Sequence, residues 1–99
     1  MKEDPKPKKI ISKKYLEFVK SLPCLICRKS PTQPHHLKAR GWGSAKQVDF
    51  FAVPLDQEHH SELEQIGPQK FCEKYQVELW RECARMIVAF FLGIPIEEI

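Results

Sequence analysis

The stretch Val53-Pro54-Leu55-Asp56-Gln57-Glu58-His59-His60-Ser61-Glu62-Leu63 constrains this chain more than any other. It reads as the end of a strand running into a helix, with metal-binding side chains at the junction. Upstream lie Cys24 and Cys27, then His35 and His36. Together they form C-x2-C, H-H and D-x2-H-H, enough sulfur, nitrogen and oxygen donors for two separate metal sites.

Size makes a structural metal useful. A chain of 99 residues is expected to be one domain with a modest buried fraction, and a bound ion adds to a small core. Hydrophobic content is 42%, ordinary for a folded soluble protein, and the longest apolar run, Met86 to Leu92, is too short to span a bilayer. The first nine residues have no apolar signal core, so a cytoplasmic protein with reduced thiols is expected. Of the four cysteines, only Cys24 and Cys27 have ligand spacing. Cys72 and Cys83 fall within helical patterns and read as core residues.

A net charge of +3 hides a polarity along the chain. Residues 1–14 hold six lysines against Glu3 and Asp4, and residues 20–46 carry Lys20, Arg28, Lys29, Lys38, Arg40 and Lys46 with no acid. The sign then reverses at Asp49, Asp56, Glu58, Glu62 and Glu64. A basic block beside histidines suits a polyanion held near a metal, while a basic block alone would be a solvated face.

In chain order, residues 1–11 read as a basic disordered or extended tail, and residues 12–99 as a single domain. Ser12 caps a helix carrying Tyr15, Leu16, Val19 and Leu22 on one face, and Pro23 stops it. Pro23 to Cys27 reads as a zinc knuckle and 28–34 as a loop. Gln33 to Leu37 is the first strand of a hairpin, with His35 and His36 on opposite faces. Lys38 to Lys46 is a basic loop whose Trp42 can stack on a base or pack over the core. Val48 to Leu55 is the returning strand. A helix follows to Ile66, with Asp56 as cap or ligand; His59, Leu63 and Ile66 share one face, and His60 and Glu64 another. Further helices span Gln69 to Tyr75 and Glu78 to Leu92.

Zinc accepts two sulfurs, an imidazole and a carboxylate, so Cys24, Cys27, Asp56 and His59 make a sound structural set, leaving His35, His36 and His60 free. Cleaving a phosphodiester needs a base for water and a cation for the charge developing on phosphorus, and imidazole suits both tasks.

Pro34-His35-His36-Leu37 followed by Val53 to Leu63 resembles the HNH, or ββα-metal, nucleases, most nearly the short phage and prophage branch related to recombination-enhancement-function nucleases. The resemblance covers about residues 23–67. It implies an α+β fold: a small ββα-metal core with a zinc knuckle, flanked by an N-terminal helix and, over 68–99, C-terminal helices. Family members commonly end their hairpin in Leu-Cys-x-x-Cys-His or Leu-Cys-x-x-His-His. Laid on this chain, the pattern makes Asp56 and His59 the second half of the zinc site and His60 a ligand of the catalytic cation. His35 becomes the second such ligand, with Glu64 as a further one, and His36 the general base. The middle Asn of the HNH pattern falls near Phe51, so another group or a backbone carbonyl must hold His36.

What the resemblance implies is a DNA endonuclease with structural Zn2+ and catalytic Mg2+ or Mn2+, with Lys38, Arg40, Trp42 and Lys46 as DNA contacts. A recombinase or other recombination protein is a conceivable partner, and the chain a monomer or homodimer. Two alternatives stand beside it. One is a non-catalytic zinc-stabilised nucleic-acid-binding module, which predicts a single metal and a dispensable His36. The other is an interaction protein docking through Trp80, Phe90 and Phe91 on its C-terminal helices.

Overall fold

In a computed structural model, residues 9–38 and 47–99 are described. A short strand, β1 (Lys9–Ile10), leads into helix α1 (Lys13–Lys20). Ser12 caps that helix, its Oγ accepting the Tyr15 N–H at 3.2 Å. The hairpin comprises β2 (Gln33–His36) and, after β3 (Gln47–Val48) and a 3-10 turn (Asp49–Phe51), β4 (Ala52–Leu55). Three helices complete the chain: α2 (Gln57–Ile66), α3 (Pro68–Tyr75) and α4 (Leu79–Leu92), with a final 3-10 turn (Ile96–Glu98). The architecture is small, mixed α+β, as expected.

β2 and β4 pair antiparallel, His35 opposite Val53 and His36 opposite Ala52. Pro34 stands opposite Pro54 in the same ladder. Proline has no N–H to give, so this pair occupies a position where the two strands exchange no backbone bonds. The outward carbonyl of Pro54 instead accepts the Leu25 N–H at 3.1 Å, and this bond fastens the Cys24–Cys27 turn to the hairpin. Beyond His36 the ladder continues through the Leu37 N–H to the Phe51 carbonyl at 2.7 Å.

Two expectations about the hairpin are corrected. The returning strand is not continuous from Val48 to Leu55: Asp49–Phe51 coils into a 3-10 turn, and the segment before it pairs elsewhere. That segment, β3, lies parallel to β1, Lys9 opposite Gln47 and Ile10 opposite Val48, so the last part of the expected tail belongs to the fold. The apolar run conceals both features, because a turn with Phe50 and Phe51 in sequence has the composition of a strand.

The core lies between the hairpin, α1 and α4. Tyr15 is fully buried, its ring 4.9 Å from Phe50 and 5.0 Å from Phe90. All four residues of β4 are buried, which explains its unbroken apolar reading. Leu79, Cys83, Met86 and Ala89 give α4 its buried stripe, one residue every three or four. Cys83 is core, as expected, and Cys72 packs against the core. Val88, Phe91 and Leu92 remain exposed on the opposite side of α4.

Gly67 makes the corner between α2 and α3. Its φ of 87° ends α2 in a conformation that costs other residues strain, and Pro68 at once begins the next helix with a preset φ. Glu62 of α2 accepts from both Lys74 and Tyr75 of α3, holding the two helices at that corner.

One core atom is poorly served. The Tyr15 hydroxyl is buried without a hydrogen-bond partner among the described residues, and burial pushes its pKa up. An unmet buried hydroxyl costs about 1–3 kcal/mol, so Tyr15→Phe is expected to stabilise the protein by up to about 1 kcal/mol. At this size that corresponds to a rise of roughly 4–8 °C in thermal midpoint. Scanning calorimetry of the two proteins side by side checks it; a lower midpoint for Tyr15→Phe means the hydroxyl has a partner.

Candidate metal centre and histidine cleft

The Cys24–Cys27 turn is folded by its own backbone. The Arg28 N–H reaches the Cys24 carbonyl and the Cys24 N–H the Lys29 carbonyl, each at 3.0 Å, with Arg28 in the left-handed region at φ 65°. The Ile26 N–H points at the Cys24 sulfur at 3.4 Å. This tight loop faces the two thiols toward the start of α2.

There Asp56 and His59 meet them. One ligand atom from each of Cys24, Cys27, Asp56 and His59 lies within 4.8 Å of every other, so the group could hold a metal ion. Cys24 Sγ is 3.8 Å from His59 Nδ1 and 3.7 Å from Asp56 Oδ1, and Cys27 Sγ is 3.1 Å from Asp56 Oδ2. Bonds of about 2.0–2.3 Å in a tetrahedron imply donor separations of roughly 3.3–3.8 Å; the two Cys24 separations fall in that range, while Asp56 stands closer to Cys27 and His59 than that.

The electrostatics point the same way. Desolvation first, then Asp56 and Cys24, push the Cys27 thiol above its ordinary pKa, against a lowering contact from the Lys29 backbone. Three acidic donors around one point are uncomfortable as anions until a cation joins them.

Asp56 is cap and donor at once. Its Oδ1 accepts the His59 N–H at 2.9 Å and lies 2.8 Å from His59 Nδ1, while Oδ2 faces Cys27. The backbone bond from His59 is the main reason its carboxyl is held down to about 2. The two readings of this residue are compatible because a carboxylate has two oxygens.

His35 and His60 sit together on another side of the hairpin and α2. The His35 and His60 rings approach edge to face, centroids 4.8 Å apart. His60 Nδ1 lies 3.3 Å from Gln33 Oε1, and its Nε2 lies 3.9 Å from Glu64 one turn along α2. Burial first, then His60, keeps His35 below its ordinary pKa, which favours a neutral ring with a free lone pair.

His36, on the opposite face of β2, finds Asp49. Its Nε2 is 2.9 Å from Asp49 Oδ1, and Asp49 is fully buried. An ionised Asp49 only accepts, so in that pairing the Nε2–H donates and Nδ1 is the nitrogen left with a lone pair. The other carboxylate oxygen takes the Ser12 N–H at 2.8 Å, which anchors Asp49 to the start of α1. From the sequence, the holder of His36 is only some other group or a backbone carbonyl, standing in for the Asn that the HNH pattern puts near Phe51. The 3-10 turn turns Asp49 inward; a lone acid inside an apolar run, Val48-Asp49-Phe50-Phe51, was the available signal.

His35 and His36 both line a cleft of about 720 Å³ beside Lys38 and Glu64. Lys38 is exposed there, whereas Arg40, Trp42 and Lys46 lie outside the described residues. Among the described residues, no helix is long and apolar enough to cross a membrane.

Fold and site together define a small α+β protein with a clustered Cys/Asp/His donor set. The chain belongs to the DUF968 family, a protein of unknown function, which it matches over residues 1–93. It is also similar to the uncharacterized protein YdfU of Escherichia coli strain K12, 39% identical over 77 residues, or 76% of this chain. The match takes in 22% of YdfU, so this chain spans about a fifth of that relative's length. No solved structure matches it.

Proposed function

We propose that the protein is a metal-dependent endonuclease acting on DNA, with zinc held by Cys24, Cys27, Asp56 and His59 as a structural staple. The observation that carries the reading is the His36–Asp49 pair: a histidine whose Nε2 lies 2.9 Å from a buried carboxyl oxygen, in the same cleft as His35. A surface histidine needs no such support, whereas a general base must present one nitrogen in a fixed direction.

His36 Nδ1 accepts a proton from water as the water attacks phosphorus. His35 and His60 would hold a divalent cation, with Glu64 3.9 Å from His60, and such an ion would supply charge neutralisation at the phosphoryl group. Magnesium or manganese is expected, and Lys38, Arg40 and Lys46 take flanking phosphates. Asp49 is a positioning residue. Asp49→Asn can present its amide N–H to Nε2 and so shift the proton to Nδ1, which removes the base. The expected result is a fall of roughly 10- to 1000-fold in kcat with KM nearly constant, somewhat less than the roughly 100- to 10,000-fold worth of the general base itself. An unchanged kcat removes Asp49 from the mechanism.

The test of the reading is metal content by mass spectrometry together with magnesium- and manganese-dependent cleavage of single- and double-stranded DNA. About one tightly held zinc per chain with cation-dependent cleavage supports the nuclease. The close packing of just four donors within 4.8 Å favours the binding module as second reading, which one zinc and no cleavage would establish.

A further inference from the structure

The cleft beside His35 and His36 has a second wall, on α4, that the phosphodiester chemistry does not use. Trp80 lines it from the first turn of that helix and is 41% exposed. The indole packs edge to face on Phe51 at 5.2 Å, and the Phe51 carbonyl accepts from Leu37, next to His36. Trp80 is therefore braced against the backbone that carries the proposed base. Leu37 and Trp80 give the cleft apolar surface with Leu63 and Leu79 buried behind it, while Glu64, Glu73 and Glu78 border it.

These features fit a particular part of a nucleic acid. An apolar cleft of about 720 Å³ lies within the range of roughly 300–1,000 Å³ that encloses small ligands. Away from Lys38 and the two histidines, a phosphate backbone gains nothing from the apolar wall and is repelled by three carboxylates. A nucleobase gains from both, since an indole stacks on any base and a carboxylate accepts from an exocyclic amino group. In a duplex the bases are paired and turned inward, and a second strand brings more phosphates toward the acids.

We infer that the cleft receives an unpaired nucleobase of the DNA strand whose phosphate lies at His36, with Trp80 as its stacking wall. The inference rests on the nuclease reading and narrows its substrate to single-stranded or locally unpaired DNA. The base enters between Trp80 and the leucines, and its sugar-phosphate stays at the histidines. Stacking then positions the scissile bond as well as adding affinity.

The test uses a short single-stranded deoxyoligonucleotide carrying 2-aminopurine, and its perfectly paired duplex, with binding measured by anisotropy without divalent cation. The parent is expected to bind the single strand at least about tenfold more tightly than the duplex and to quench the 2-aminopurine. Trp80→Ala is expected to weaken single-strand binding roughly 5- to 100-fold and abolish quenching, while Trp80→Phe restores most of both. Should Trp80→Ala fail to fold, Trp80→Leu keeps the apolar bulk without a stacking face. Equal affinity for the two DNA forms, or parental binding and quenching by the alanine or leucine variant, overturns the inference. Quenching by a protein that cuts no DNA upholds the cleft and overturns the nuclease. Duplex cleavage as fast as single-strand cleavage, unaffected at Trp80, does the reverse.

Discussion

His36→Ala is expected to reduce DNA cleavage by at least about 100-fold, and up to roughly 10,000-fold, while zinc content and fold stay as in the parent. The separation of effects follows from position. His36 is half-buried at the rim of the cleft, and its partner Asp49 keeps a second bond to the Ser12 N–H when the imidazole is gone. The metal group lies at the other end of the hairpin and uses none of these atoms. Steady-state cleavage, metal analysis and circular dichroism on the same preparations check all three parts. Retained cleavage removes His36 as the base, and lost zinc would mean that the two sites are not independent.

Cys24→Ser is expected to lose the bound metal and most of the protein's stability. Cys24 is fully buried and two of its sulfur's neighbours are the other halves of the donor set, Asp56 and His59. Structural zinc contributes about 10–16 kcal/mol of apparent binding free energy in small zinc-finger peptides, as much as the whole folding stability of a domain this size. A chelator should lower the thermal midpoint of the parent toward that of the variant. Cys72→Ser is the control, because Cys72 packs against α2–α4 core residues and stands outside the donor group. If Cys24→Ser melts with the parent and retains one metal, the knuckle is not a metal site.

The two predictions differ in how early they become visible. Cys24-x2-Cys27 and Asp56-x2-His59 are short-range patterns, and each is fixed locally: the first by a turn bonded to itself, the second by a capping carboxylate at the first turn of α2. Local geometry of that kind follows from spacing, so the donor set could be read as a whole. The helix boundaries were legible for the same reason. Ser12, Pro23, Gly67, Pro68 and Gly93 act on the backbone within a residue or two of themselves.

Asp49 and Trp80 were not legible in their roles. Asp49 reaches His36 across 13 residues and Ser12 across 37, and it does so from a 3-10 turn that an apolar run disguises as strand. Trp80 carries a helical apolar period that assigns it to core or to a docking face, yet the packing of α4 on the hairpin leaves it beside the histidines.

By itself, then, the sequence determined the helices, the first strand of the hairpin, and the four residues that gather as the possible metal group, because each depends on spacing within a few residues. Only the tertiary structure decided which acid holds His36, that β1 joins β3, and which aromatic faces the cleft. Those depend on where distant segments meet, and that is set by the packing of the core around Tyr15 rather than by any local spacing.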